Sequence, residues 1–241
     1  MNIEVLTDST SVAKRAASII AEEAWEAVTA RGFFVMAVSG GHTPWLMLRE
    51  LADLGMPWPA VHILQVDERV APAGDTDRNL THIRENLLEH TRLLPEQISA
   101  MPVESTDLQA AVARYGNTLR EIAGTPPVID LVHLGLGPDG HTASLVPGDP
   151  ALDVENADVT LSGLYQGRRR ITLTYPILNR ARRVLWVVTG SEKAGMVNRL
   201  LDGDCSIPAG RIRRDRALLL ADCAAAPNAH RWINEGGLAC V

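Results

Sequence analysis

The sequence predicts an α/β fold, a doubly wound and mostly parallel sheet with helices on both faces. Three observations carry that prediction. Mainly apolar runs of strand length recur at 33–38, 61–66, 129–134 and 183–188, continuous rather than alternating, as in strands covered on both faces. Helical segments lie between them. The runs end in polar or glycine-rich turns, and in such sheets ligands bind in the crevice beyond the carboxyl ends of the strands.

Taken in order, 11–31 reads as an amphipathic helix that stops at Gly32, and 33–38 as a buried strand. That strand ends in Ser39-Gly40-Gly41-His42-Thr43-Pro44, with a helix expected from about 44 to 54. The strand at 61–66 ends at Asp67-Glu68-Arg69, and a loop holding Pro72, Gly74 and Asp75 leads to a helix near 79–89. A helix at 108–123 precedes the strand at 129–134. Further strands are expected at 170–173 and 183–188, then a helix from 192 to 201 and a last strand at 217–221. Segments 92–106 and 146–168 lack periodicity and read as connections covering a site. No repeat, low-complexity tract or linker-like change in composition divides the chain, so one domain spanning 1–241 is expected.

The 241 residues, 46% hydrophobic and 22% charged, suffice for a sizeable core. A net charge of −6 argues against nucleic acid as a partner. The basic clusters at 168–170 and 211–216 sit in an acidic chain and read mostly as solvated surface charge; any anion they bind is expected to be small. Cys205, Cys223 and Cys240 lack ligand spacing, which fits free thiols in a reducing compartment and supplies no metal site. The apolar runs are too short to span a membrane, and residues 1–17 lack a secretory pattern. A cytoplasmic protein without membrane partners is expected. No pattern encodes an oligomeric state, and a monomer is compatible with all of them.

Four strand ends can carry chemistry. In Ser39-Gly40-Gly41-His42-Thr43-Pro44, two glycines let backbone N–H groups approach an anion, and a helix N-terminus follows. Helix capping is the plainer reading of the same turn. The turn lacks the G-K-[ST] of a Walker loop, and Ser39 precedes the glycines rather than lying between them as in a nucleophile elbow. Asp67-Glu68-Arg69 is either a solvated charge cluster or a set of groups that positions a polar substrate, with Arg69 able to hold an anion. Thr189-Gly190-Ser191-Glu192-Lys193 places Lys193 in the first turn of a helix, where either an anion offsets its charge or the side chain simply points to water.

The fourth, Gly135-Leu136-Gly137-Pro138-Asp139-Gly140, matches the dinucleotide pattern G-x-G-x-x-G. It lies past the middle of the chain, and the irregular 149–167 that follows offers no second strand with an acidic end. Asp139 would also stand where pyrophosphate should approach. The alternative is a turn that projects Asp139 and His141, a carboxylate orienting a general base.

These blocks, in order, carry a family resemblance: VSGGHTP, QVDERVAP with Arg78-Asn79 following, DLVHLGLGPDGHTASLVPG, RRITLTYPILNRA, VVTGSEKAGMV and IPAGRI. The chain resembles the 6-phosphogluconolactonases, in the superfamily they share with the glucosamine-6-phosphate deaminases. The resemblance implies a Rossmann-like α/β sandwich with no nucleotide cofactor and no required metal. It implies hydrolysis of a small sugar-phosphate lactone, 6-phospho-D-glucono-1,5-lactone, in the oxidative pentose phosphate pathway. By the same likeness Ser39, Gly40, Gly41, Thr43 and Lys193 are phosphate-site positions, with Arg170 an addition. His141 resembles the base that activates water, Asp139 its partner, and Asp67 and Arg69 residues near the sugar ring and lactone.

The deaminase pattern resembles D-G-H-I-A-F-N-E-P, and Val146 here replaces its glutamate with a side chain that carries no proton. Val146 also stands where lactonases commonly have Phe, Arg78 where they have Ser, and His42 where Ser is usual. Sugar-phosphate-sensing domains of transcription regulators share this scaffold without turnover. They are normally fused to a DNA-binding helix-turn-helix, and residues 1–30 offer room for one helix. A dehydrogenase is the remaining, distant alternative.

Overall fold

The computed structural model describes residues 1–232. Seven strands form the main sheet: β1 (Asn2–Leu6), β2 (Phe34–Val38), β3 (Val61–Gln65), β5 (Ile98–Ser99), β6 (Leu131–Leu134), β9 (Arg183–Val188) and β10 (Ala217–Asp222). They run in the order β1-β10-β9-β6-β2-β3-β5, and every neighbouring pair is parallel. A second, antiparallel sheet joins β4 (Asp67–Arg69), β8 (Arg170–Leu173) and β7 (Val159–Leu161).

Strand periodicity explains the continuous apolar runs. Along β2, Phe34, Met36 and Val38 join one buried cluster while Val35 and Ala37 join the other. The first cluster packs against α1 (Ser9–Arg31), α2 (His42–Ala52) and α3 (Asn79–Asn86), the second against α4 (Leu108–Ala123), α5 (Tyr175–Arg180) and α6 (Ala194–Asp202). Both faces are therefore covered, as expected for a doubly wound sheet. Helix ends follow local chemistry. The Asp8 carboxylate accepts the Ser11 N–H at 2.8 Å at the start of α1, and Gly32 closes that helix at φ 85°.

The structure departs from expectation in places. β1 was not anticipated, because NIEVL is short and carries a charge at its centre. Asp67-Glu68-Arg69 is a strand rather than a loop, and the segment 146–168 contains β7. Strands of three residues are too short to show a period. Cys205 is free, whereas Cys223 is disulfide-bonded, a pairing in space that spacing along the chain does not encode. Cys240 lies outside the described residues. No described helix is long and apolar enough to cross a membrane.

Candidate active site

The four strand-end segments meet. A cavity of about 560 Å³ is lined by residues 39–44, by Asp67 and Arg69, by 135–138 with His141, and by 187–190 with Glu192 and Lys193. Arg170, Asn79, Ala143 and Gln166 complete its wall. Of the ten residues to which the resemblance gives site roles, all but Asp139 line this space, and Asp139 is bound to one that does.

The glycine turn after β2 has little freedom. A β-carbon on Gly40 would stand 1.8 Å from Asn79 Oδ1, and Gly41 has φ 124°, a region that favours glycine. Gly41 opens directly into the first turn of α2. Ser39 lies at the wall, but its hydroxyl donates inward to the His133 carbonyl at 3.2 Å and its N–H to His133 Nδ1 at 3.3 Å. Its side chain thus shapes the turn instead of offering a free O–H. Thr43 Oγ1 lies 2.6 Å from Thr189 Oγ1, which ties this turn to the one after β9. There Gly190, at φ 101°, donates its N–H to the Asp222 carboxylate at 3.1 Å, and Lys193 follows in a short 3₁₀ turn.

Next to the glycine turn after β2, strand alternation sorts the Asp67-Glu68-Arg69 cluster. Asp67 and Arg69 face the cavity, and Glu68 between them is fully buried. The Glu68 carboxylate accepts the N–H groups of Asn79 and Leu80, each at 2.8 Å, and so caps α3 from a distant strand. It also accepts from Gln65 and the Arg69 N–H and pairs with Arg78 at 3.2 Å. This buried network fixes Asn79, which sequence reading left without a role. Asn79 Nδ2 donates to the Asp67 carboxylate at 3.2 Å, and its Oδ1 accepts from Arg69 at 2.6 Å. Ser144 donates to the other Asp67 oxygen at 2.5 Å.

Arg170 is 3% exposed, and its Nε has no hydrogen-bond partner. Its Nη2 donates to Gln166 at 3.1 Å. Burial holds its pKa below the ordinary arginine value, with the nearby Arg69 charge acting in the same direction and the Asp67 carboxylate against it. A buried, incompletely paired cation at a cavity wall is complementary to an anion.

The loop after β6 carries the titratable pair. The Gly137 N–H donates to the His141 carbonyl at 2.8 Å, and the Gly140 N–H closes the turn on the Gly137 carbonyl at 3.0 Å. The Asp139 Oδ1 atom lies 2.5 Å from His141 Nδ1 and accepts the His141 backbone N–H at 3.1 Å. Burial works to raise the Asp139 pKa, but the His141 N–H, the charge of the ring and its hydrogen bond outweigh it. The carboxyl is held below the usual range. A carboxylate on Nδ1 keeps the proton there and leaves Nε2 as the basic nitrogen. Tyr165, also missed from sequence, donates its hydroxyl to Asp139 Oδ2 at 3.2 Å. Among the described residues no group of three or more His, Cys, Asp or Glu side chains is placed to hold a metal ion.

Residues 7–220 match the family model described as glucosamine-6-phosphate isomerases/6-phosphogluconolactonase. The chain is 34% identical over 240 residues to the 6-phosphogluconolactonase of Mycobacterium tuberculosis, covering 93% of this chain and 97% of that one. It is 35% identical over 195 residues to the 6-phosphogluconolactonase of a Synechocystis strain, covering 79% and 81%. Among solved structures, 6-phosphogluconolactonase from Trypanosoma cruzi superposes with a TM-score of 0.84 over 94% of this chain and 96% of that one, at 24% identity, a likeness of fold. A glucosamine-6-phosphate deaminase superposes at 0.81 and 19% identity over 93% and 98%, so the fold alone does not separate the two activities. With a family model covering most of its length and relatives this similar over nearly the whole sequence, the chain belongs to the glucosamine-6-phosphate isomerase/6-phosphogluconolactonase family.

Proposed function

We propose that this protein hydrolyses 6-phospho-D-glucono-1,5-lactone to 6-phosphogluconate in the oxidative pentose phosphate pathway. The observation that carries the reading is the His141–Asp139 pair at a cavity that the glycine turn opening into α2 and Lys193 also line. The phosphate binds at Gly40, Gly41, Thr43 and Lys193, where the α2 N-terminus and a cation favour it. Anchoring that end fixes the lactone carbonyl near His141.

His141 Nε2 takes a proton from water as the water oxygen bonds to the carbonyl carbon, and Asp139 stabilises the imidazolium that forms. The carbonyl oxygen gains the negative charge, which Arg69 and Arg170 stabilise. Collapse of this intermediate breaks the bond from carbon to the ring oxygen, and the imidazolium returns its proton to that leaving oxygen. Asp67, held by Ser144 and Asn79, orients sugar hydroxyls. Val146 is buried and offers no group to shuttle a proton, which argues against the deaminase chemistry of the same family.

The test is acid release from freshly generated lactone, corrected for spontaneous hydrolysis, with His141→Ala as the comparison. Fast hydrolysis by the wild type is expected, lost in a variant that still binds 6-phosphogluconate. Binding without turnover by the wild type would instead indicate a sugar-phosphate sensor.

A further inference from the structure

We propose that Tyr165 is a positioning residue for the Asp139–His141 pair, delivered to it by the β7–β8 hairpin; the idea rests on the hydrolytic reading above. Asp139 uses one oxygen for His141, through the ring at 2.5 Å and the backbone N–H at 3.1 Å. Its other oxygen accepts the Tyr165 hydroxyl at 3.2 Å. The Tyr165 and His141 rings meet edge to face with centroids 5.3 Å apart, and the Arg170 guanidinium lies 5.0 Å from the Tyr165 ring centroid. One side chain therefore touches the carboxylate, the imidazole and a cavity-lining cation.

The hairpin that carries Tyr165 is built to hold it still. Tyr165 and Arg168 exchange both backbone hydrogen bonds, at 3.0 and 3.2 Å, around Gln166 and Gly167, whose φ values of 52° and 77° suit a type I′ turn. Gln166 occupies the left-handed region although it has a β-carbon, and its side chain is held by Arg170. Arg168 reaches the opposite way, to Asp77 at 2.7 Å and Asp75 at 3.1 Å. The arm is thus fixed on one side to the loop after β4 and on the other to Asp139. A carboxylate held at only one oxygen can rotate away from the imidazole. The Tyr165 hydroxyl removes that freedom and is available before substrate arrives.

Tyr165→Phe deletes the hydroxyl while keeping both ring contacts, and two readouts decide its role. Lactone hydrolysis should show kcat lowered roughly tenfold with KM within about twofold, the scale of one hydrogen bond to a charged group. Proton NMR of the ligand-free protein should show the downfield His141 Nδ1–H resonance shifted or broadened, with melting temperature maintained. An unchanged kcat or an unchanged resonance would overturn the proposal. A raised KM at unchanged kcat would also overturn it, making Tyr165 a substrate contact. If the wild type does not hydrolyse the lactone, the resonance still decides whether Tyr165 holds the pair, and the hydrolytic reading falls by itself.

Discussion

Gly137 and His141 share one corner of the loop after β6: a β-carbon on Gly137 would stand 2.1 Å from His141 Nδ1 and 2.7 Å from Asp139 Oδ1. The glycine at this position in the pattern G-x-G-x-x-G is thus required by an imidazole and a carboxylate, with no pyrophosphate involved. Gly137→Ala is expected to push the ring off its partner while leaving the sheet intact. Hydrolysis should fall about 100-fold, as for a misplacement of about 1 Å, with little change in 6-phosphogluconate affinity. Steady-state kinetics together with product binding by calorimetry would check this. Wild-type activity in the alanine variant would show that the pair does not set the rate.

Legibility from sequence followed element length and the distance between partners. β9 and α4 are legible to the residue, because β9 holds five consecutive apolar positions after Arg183 and the sixteen residues of α4 carry an amphipathic period. Convergence of the four strand ends followed from the fold class, so most of the cavity was readable before any coordinates. Asp67-Glu68-Arg69 was harder. Read as a strand, alternation would have sent Glu68 away from Asp67 and Arg69, but three residues cannot announce a strand. Tyr165 was out of reach for a related reason. Its hairpin has a Gln-Gly turn in place of the usual Asn-Gly signal, and its partner Asp139 lies 26 residues earlier.

Lys193 and Arg170 both line the cavity, and they should separate by kinetic signature. Lys193 lines the same cavity as the glycine turn, where the phosphate is proposed to bind and remains unchanged through the reaction. Lys193→Ala should therefore raise KM by about 10- to 100-fold with a smaller effect on kcat, the scale of a hydrogen bond between two charges. Arg170, buried near the Tyr165 ring with an unpartnered Nε, should affect kcat more, because its charge meets the developing oxyanion. Measuring both parameters for Lys193→Ala and Arg170→Met would test the assignment. The reverse pattern would place the phosphate at Arg170.

His133 gives a prediction about stability and pH that is separate from catalysis. Its ring is fully buried on β6, its Nδ1 accepts the Ser39 N–H, and its Nε2 has no partner. Burial pushes its pKa from 6.5 down to about 3. The unfolded chain therefore takes up a proton at this residue below pH 6.5, while the folded chain stays neutral until about pH 3. Stability from this group is full above pH 6.5 and declines as pH falls, by about 1.4 kcal/mol per pH unit within that window. His133→Asn keeps an acceptor for the Ser39 N–H and does not titrate. At pH 7 the wild type should be the more stable, because asparagine leaves a void in the core. Urea unfolding at pH 7, 6 and 5 should show that advantage shrinking by about 2 kcal/mol at pH 5, the product of the slope and the distance below 6.5. Parallel curves would mean that the folded protein accommodates a charged His133, and that the orphaned Nε2 has access to water.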